Sequence, residues 1–106
     1  MILLVWWEPI CKPRAVREDL WVARLSVSTR TANKIAARHR ITESEVRDAV
    51  VCVAGLEYVW DDDSDRGVRA IVQVKIRDQS TLVVLYPAGD PLGDSYHPGS
   101  AYFADL

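Results

Sequence analysis

The chain of 106 residues carries thirteen Lys and Arg against fifteen Asp and Glu, a formal charge of -2, with 49 % apolar and 26 % charged residues. Such a composition lies far from the disordered corner and excludes a protein that gathers polyanions through its overall charge, so any nucleic-acid role has to rest on a local patch. The length predicts a single domain over 1–106 with one core.

Residues 1–7 are apolar but lack the basic start of a signal peptide and end at Glu8-Pro9, well short of the ~20 residues that a bilayer needs. A strand or apolar arm is predicted there, and no membrane segment. Residues 8–18 carry Pro9 and Pro13 among Lys12, Arg14 and Arg17, which breaks both periodicities and predicts a surface loop. Cys11 and Cys52 lie far apart, with no CxxC pair and no His at ligand spacing. That predicts two reduced thiols in a cytoplasmic protein without a metal or other cofactor.

From 20 to 27, Trp21, Ala23, Leu25 and Val27 alternate with Val22, Arg24 and Ser26, the pattern of a half-exposed strand. Ser28 or Thr29 then offers a cap, and Ala32, Ile35, Ala36 and the stem of Arg38 or His39 recur at helical spacing. A helix over Thr29–His39 is predicted. Thr42 followed three residues later by Glu45 is a capping box, in which the hydroxyl and the carboxylate each accept from the other residue's amide. The second helix therefore starts at Thr42, runs along Val46, Ala49, Val50 and Val53, and stops near Gly55, giving 42–54.

Beyond it the apolar period changes to two. Strands are predicted over 56–60, 68–76 and 81–86, with polar hairpin loops at 61–67 and 77–80, so that an antiparallel meander follows the two helices. Along 68–76, Val68, Ala70, Val72, Val74 and Ile76 point one way, and Arg69, Ile71, Gln73, Lys75 and then Arg77 point the other. The second set displays Arg69, Lys75 and Arg77, a face that is either a solvated outer surface or a contact for phosphates. Residues 87–99 form a turn-rich loop leading to an edge strand at 100–103. A loop of that length is usually functional or mobile, and its aromatic residues equally suit a protein partner.

The segment Ala37-Arg38-His39-Arg40-Ile41-Thr42-Glu43-Ser44-Glu45-Val46, a charged loop, Arg66, Arg69 and the run Leu82-Val83-Val84 together resemble the BrnT-type toxins of the RelE superfamily and related small domains. The likeness covers roughly residues 28–102. It implies an α+β fold with a two-helix hairpin packed on a small antiparallel sheet. It also implies the toxin component of a type II toxin-antitoxin system, a metal-independent endoribonuclease that cuts messenger RNA and is neutralised by a protein antitoxin. His39 matches the family's turn histidine, Glu45 its following acid, Arg66 and Arg69 the arginines of its second strand region, and Ser100-Ala101 the pair before its late arginine. Arg40 stands where the family prefers Gly, Tyr102 stands where the late arginine would be, and Trp7-Glu8 belongs to a longer N-terminal segment.

Cutting RNA through the 2′-hydroxyl requires a base for its proton, a cation for the charge growing on the phosphate, and an acid for the leaving oxygen. On the resemblance, His39 supplies base or acid, since histidine titrates near neutrality, and Arg66 and Arg69 clamp the phosphate. Lys34, Arg38, Lys75, Arg77, Tyr86 and Tyr102 are expected to contact RNA, the tyrosines by stacking. His39, Arg66 and Arg69 must then converge on one concave surface. Against this, His39 also suits a helix end, where it complements the dipole, and capping alone explains Thr42 and Glu45. His97, between Tyr96 and Pro98, has no role assigned. The alternative function is a non-catalytic protein-binding domain of the same fold, and the partners considered are an antitoxin, RNA and a second copy of the chain.

Overall fold

The computed structural model describes residues 20–89 and 93–104. The arm expected over 1–7 and the loop over 8–18 lie outside the described residues. In chain order the elements are β1 (Arg24–Leu25), α1 (Thr29–His39), α2 (Glu43–Val50), β2 (Glu57–Asp63), β3 (Gly67–Ile76), β4 (Gln79–Pro87) and β5 (Ser95–Phe103). They form an α+β fold whose five strands lie in the order β1-β5-β4-β3-β2. The strands from β2 to β5 pair antiparallel as the meander predicts, but β1 pairs parallel with β5, so the sheet is mixed rather than antiparallel. Two helices and three strands separate β1 from its partner in sequence, and no local pattern in the chain announces that contact.

The two helix starts obey their local chemistry. At α1, Ser28 is the N-cap and its hydroxyl accepts from the Thr31 amide at 3.1 Å. At α2, the Thr42 hydroxyl accepts from the Glu45 amide at 3.1 Å while the Thr42 amide donates to Glu45 Oε1 at 2.9 Å, completing the capping box. Between the helices Arg40 caps α1 in the left-handed region, φ 58°. Glycine is at home in that conformation, whereas a side chain there costs roughly 1–2 kcal/mol.

Tertiary pairing overrides the sequence pattern in several places. Helix α2 ends at Val50 and not at 54, because Val51 is extended and bridges Val22 in parallel while the Cys52 amide donates to the Val22 carbonyl at 2.8 Å. The strand expected over 20–27 shrinks to Arg24–Leu25, and Val22, placed on its exposed side, is fully buried. Cys52 is disulfide-bonded, which corrects the expectation of two reduced thiols. The acidic stretch 61–63 is the end of β2 and not a loop, since Asp61 pairs directly with Arg69 across the ladder. The turn between β3 and β4 is only Arg77-Asp78, both left-handed at φ 53° and 64°, the twist that suits a two-residue hairpin. The last part of the loop expected over 87–99, residues 95–99, is likewise β5, which carries Pro98 and accommodates it at an irregularity opposite Val84/Leu85.

The core lies between the helices and one side of the sheet. Ile35, Ile41, Val46 and Val50 pack with Ala70, Val72, Ile76, Val83, Leu85 and Ala101. The alternation along β3 holds from Ala70 to Ile76, while Val68, expected inside, is 51 % exposed. No helix among the described residues is long and apolar enough to cross a membrane.

Candidate functional site

Several cations nominated by the sequence are occupied in holding the fold together. Arg77 Nε donates to Glu45 Oε2 at 2.7 Å, its terminal nitrogen donates to Glu45 Oε1 and to the Arg40 carbonyl, and its guanidinium lies 5.4 Å from the centre of the Phe103 ring. The β3–β4 turn is thereby clasped to the turn between the helices, with Glu45 serving both the cap and the clasp. The Thr42 amide first, and Arg77 second, hold the Glu45 carboxyl below its usual range. Arg69 is similarly engaged: it meets Asp61 through two nitrogens at 2.8 Å each, and Asp63 and the Tyr86 hydroxyl at 3.4 Å. Its protonated form is held more firmly still, by the Tyr86 hydroxyl and then by Asp61. The basic face predicted along β3 is thus neutralised at Arg69 and Arg77 and keeps only Lys75, which is exposed.

An open basic surface occurs elsewhere. A cleft of about 650 Å³ is lined by Arg30, Thr31 and Lys34 of α1, by Arg66 of the β2–β3 turn and Val68 at the start of β3, by Tyr86 and Pro87 at the end of β4, and by His97, Pro98 and Gly99 of β5. Arg30 and Lys34 face it together because they stand four apart on one side of a helix. Among the described residues no salt bridge involves Arg30, Lys34 or Arg66. Lys34 reaches the Gly99 carbonyl at 3.0 Å, and the Arg66 guanidinium lies 5.7 Å from the centre of the Tyr86 ring.

Tyr86 organises this cleft. Its ring is 7 % exposed, its hydroxyl lies 3.5 Å from Asp63 Oδ2, and the His97 ring stacks on it at 5.8 Å and 22°. Gly99 makes room for the ring, since a Cβ there would lie 2.4 Å from Tyr86 Cε2. The Asp65 amide first, and the charge of Arg69 next, keep the Asp63 carboxyl ionised to lower pH than usual. The end of β2 is therefore an anionic anchor for the ring and for Arg69.

The residues nominated from the sequence separate in space. Arg66, Lys34 and Tyr86 line the cleft, whereas His39 and Arg69 are not among its lining residues. His39 ends α1, with its ring 5.9 Å from that of Tyr102, and Arg38 beside it is exposed. Lys75 and Arg77 line a different hollow together with Glu45 and Asp48. Tyr86 is too buried to offer a face for base stacking. Sequence reasoning missed Arg30, Thr31 and His97. Arg30, Lys34 and Arg38 at four-residue spacing were a readable signal, but the placing of His97 needed the strand at 95–103 to be recognised.

No protein-family model, curated protein or solved structure matches this chain.

Proposed function

We propose that the protein is a small metal-independent endoribonuclease of the toxin type, that the cleft between α1 and the ends of β4 and β5 receives the phosphodiester backbone of RNA, and that a protein antitoxin restrains it. The observation that carries the reading is the cleft itself: in a chain of net charge -2, Arg30, Lys34 and Arg66 converge beside an imidazole with no salt bridge among the described residues, although the charge of Arg66 is felt at Asp63. Phosphate needs such uncompensated cations, and charge accumulating in a cleavage transition state is stabilised by donors already aimed at it. Arg66 retains the phosphate-binding role that the resemblance implies for it. Arg69, saturated by Asp61 and Asp63, acts as a positioning residue for Tyr86, and Arg38 extends the helical stripe that follows the RNA strand.

The antitoxin reading draws on a second surface. Val59, Trp60 and Val68 are 61 %, 49 % and 51 % exposed, and β2 is a terminal strand of the sheet. Exposed aromatic and aliphatic groups on the outermost of the described strands favour a protein partner. Val68 also lines the cleft, so a partner seated there closes the rim of the site. The same patch favours the alternative, a protein-binding domain without catalysis.

Expression in a bacterial host distinguishes the two. The wild type is expected to arrest growth and shorten transcripts, and an Arg30→Ala/Lys34→Ala/Arg66→Ala variant to do neither. Normal growth and intact transcripts with a folded, antitoxin-free wild type would leave the protein-binding reading in its place.

A further inference from the structure

We infer that the basic cleft and a smaller cavity beside it form one composite site for single-stranded RNA. The cleft takes the phosphate, the cavity takes a base, and His97, on the wall they share, accepts the proton of the 2′-hydroxyl. The inference rests on the ribonuclease reading and names the base-binding and proton-transferring residues that it requires.

The second cavity, about 400 Å³, is lined by Ser26, Val27, Ser28, Thr31, His97 and Pro98, and it shares Thr31, His97 and Pro98 with the cleft. The two hollows differ in character. Arg30, Lys34 and Arg66 line the cleft, while no Lys, Arg, Asp or Glu among the described residues lines the cavity. Its walls are Val27 and Pro98, and its polar groups include three hydroxyls. A nucleobase is matched by such a lining, with flat apolar faces to cover and a neutral edge of donors and acceptors to read. The Ser28 hydroxyl is already engaged, accepting from the Thr31 amide at 3.1 Å and donating to Thr31 Oγ1 at 3.0 Å. Donation by Ser28 leaves the Thr31 hydroxyl proton for a ligand. Ser26 is exposed, and its hydroxyl has no hydrogen bond among the described residues.

In an RNA strand the 2′-hydroxyl lies between its own base and the 3′-phosphate, so a base in one hollow and the phosphate in the other bring that hydroxyl to the shared wall. His97 stands there. Its ring is exposed but steadied by the stack on buried Tyr86, which Gly99 and Asp63 hold in place. His97 takes the 2′-hydroxyl proton, the 2′-oxygen bonds to phosphorus, and the bond from phosphorus to the 5′-oxygen of the next nucleotide breaks. That oxygen takes a proton from water, leaving a 2′,3′-cyclic phosphate and a 5′-hydroxyl end. Arg66, Lys34 and Arg30 face the charge that develops on the phosphate.

The test uses the purified full chain and short oligodeoxynucleotides that each contain one ribonucleotide, with A, C, G or U as its base, plus an all-deoxy control. Binding is read by fluorescence anisotropy, cleavage and end chemistry by mass spectrometry, and folding by circular dichroism. The wild type is expected to bind all five strands, to cut only those with a ribonucleotide, to prefer one base, and to leave cyclic phosphate ends. His97→Gln should cut at least ~100-fold more slowly while binding within about twofold of wild type. Ser26→Val should lose the preference among bases. A His97→Gln variant that cuts as fast as wild type, or a Ser26→Val variant with its preference intact, overturns the composite site and leaves the ribonuclease reading standing. A wild type that cuts none of the strands overturns both.

Discussion

The two hairpin turns at opposite ends of β3 each present an arginine, and the structure uses the two in opposite ways. Arg77, in the β3–β4 turn, is consumed by Glu45, the Arg40 carbonyl and the Phe103 ring. Arg66, in the β2–β3 turn, has a ring beside it and a cleft in front of it, and no ion pair among the described residues. In sequence both are basic residues next to a polar turn, and the resemblance and the strand alternation nominated both for RNA. What separates them is whether a carboxylate on another element arrives within reach. At the Arg77 end the capping glutamate of α2 does so. At the Arg66 end the nearby acids Asp61 and Asp63 are occupied by Arg69. A cation with a fixed partner steadies the fold, and one without a partner remains available to a ligand.

The strongest way to break the contrast is at the cleft end, without touching a charge. Gly99→Ala places a methyl group 2.4 Å from Tyr86 Cε2, so the ring or the strand must shift. A destabilisation of about 1–3 kcal/mol is expected, together with loss of RNA binding, because the ring that His97 and Arg66 lie against is displaced. Urea melts and anisotropy measured on the same samples check both effects, and retention of both at wild-type level would show that Tyr86 does not organise the cleft.

At the clasp end, Thr42→Ala removes the hydroxyl that accepts from the Glu45 amide and should cost about 1 kcal/mol in urea melts while RNA binding is unchanged. The same end should make stability fall in acid. Glu45 titrates lower folded than unfolded, so its contribution is complete above the usual carboxylate range and is lost as pH falls from that range through the lowered folded value. Glu45→Gln should flatten that part of the urea-midpoint profile, and a profile identical to wild type would show that the clasp contributes nothing.

The smallest effect sharpens the comparison. Arg66→Ala should leave the urea midpoint within about 0.5 kcal/mol of wild type, since the residue has no ion pair to lose among the described residues, whereas Arg77→Ala should lower it measurably. Equal shifts in the two variants would erase the distinction between a structural arginine and a free one.

Helix starts, the alternation from Ala70 to Ile76 and the antiparallel pairing of β3 with β4 were legible in the chain, because each depends on residues a few positions apart: Ser28 with Thr31, Thr42 with Glu45, Ile76 with Gln79. The family likeness brought Arg66 to notice by the same kind of local match. What only the tertiary structure decided depends on partners distant in sequence. Val22 draws 51–52 out of α2, β1 reaches β5 in parallel, and Asp61 extends β2 to meet Arg69. The candidate site has that origin too, since Arg30 and Lys34 of α1 meet Arg66 of the β2–β3 turn and His97 of β5, and no sequence pattern joins the three segments. Local propensity and alternation are short-range energies that a sequence displays directly, whereas the availability of a charge is set by whichever opposite charge the fold places beside it.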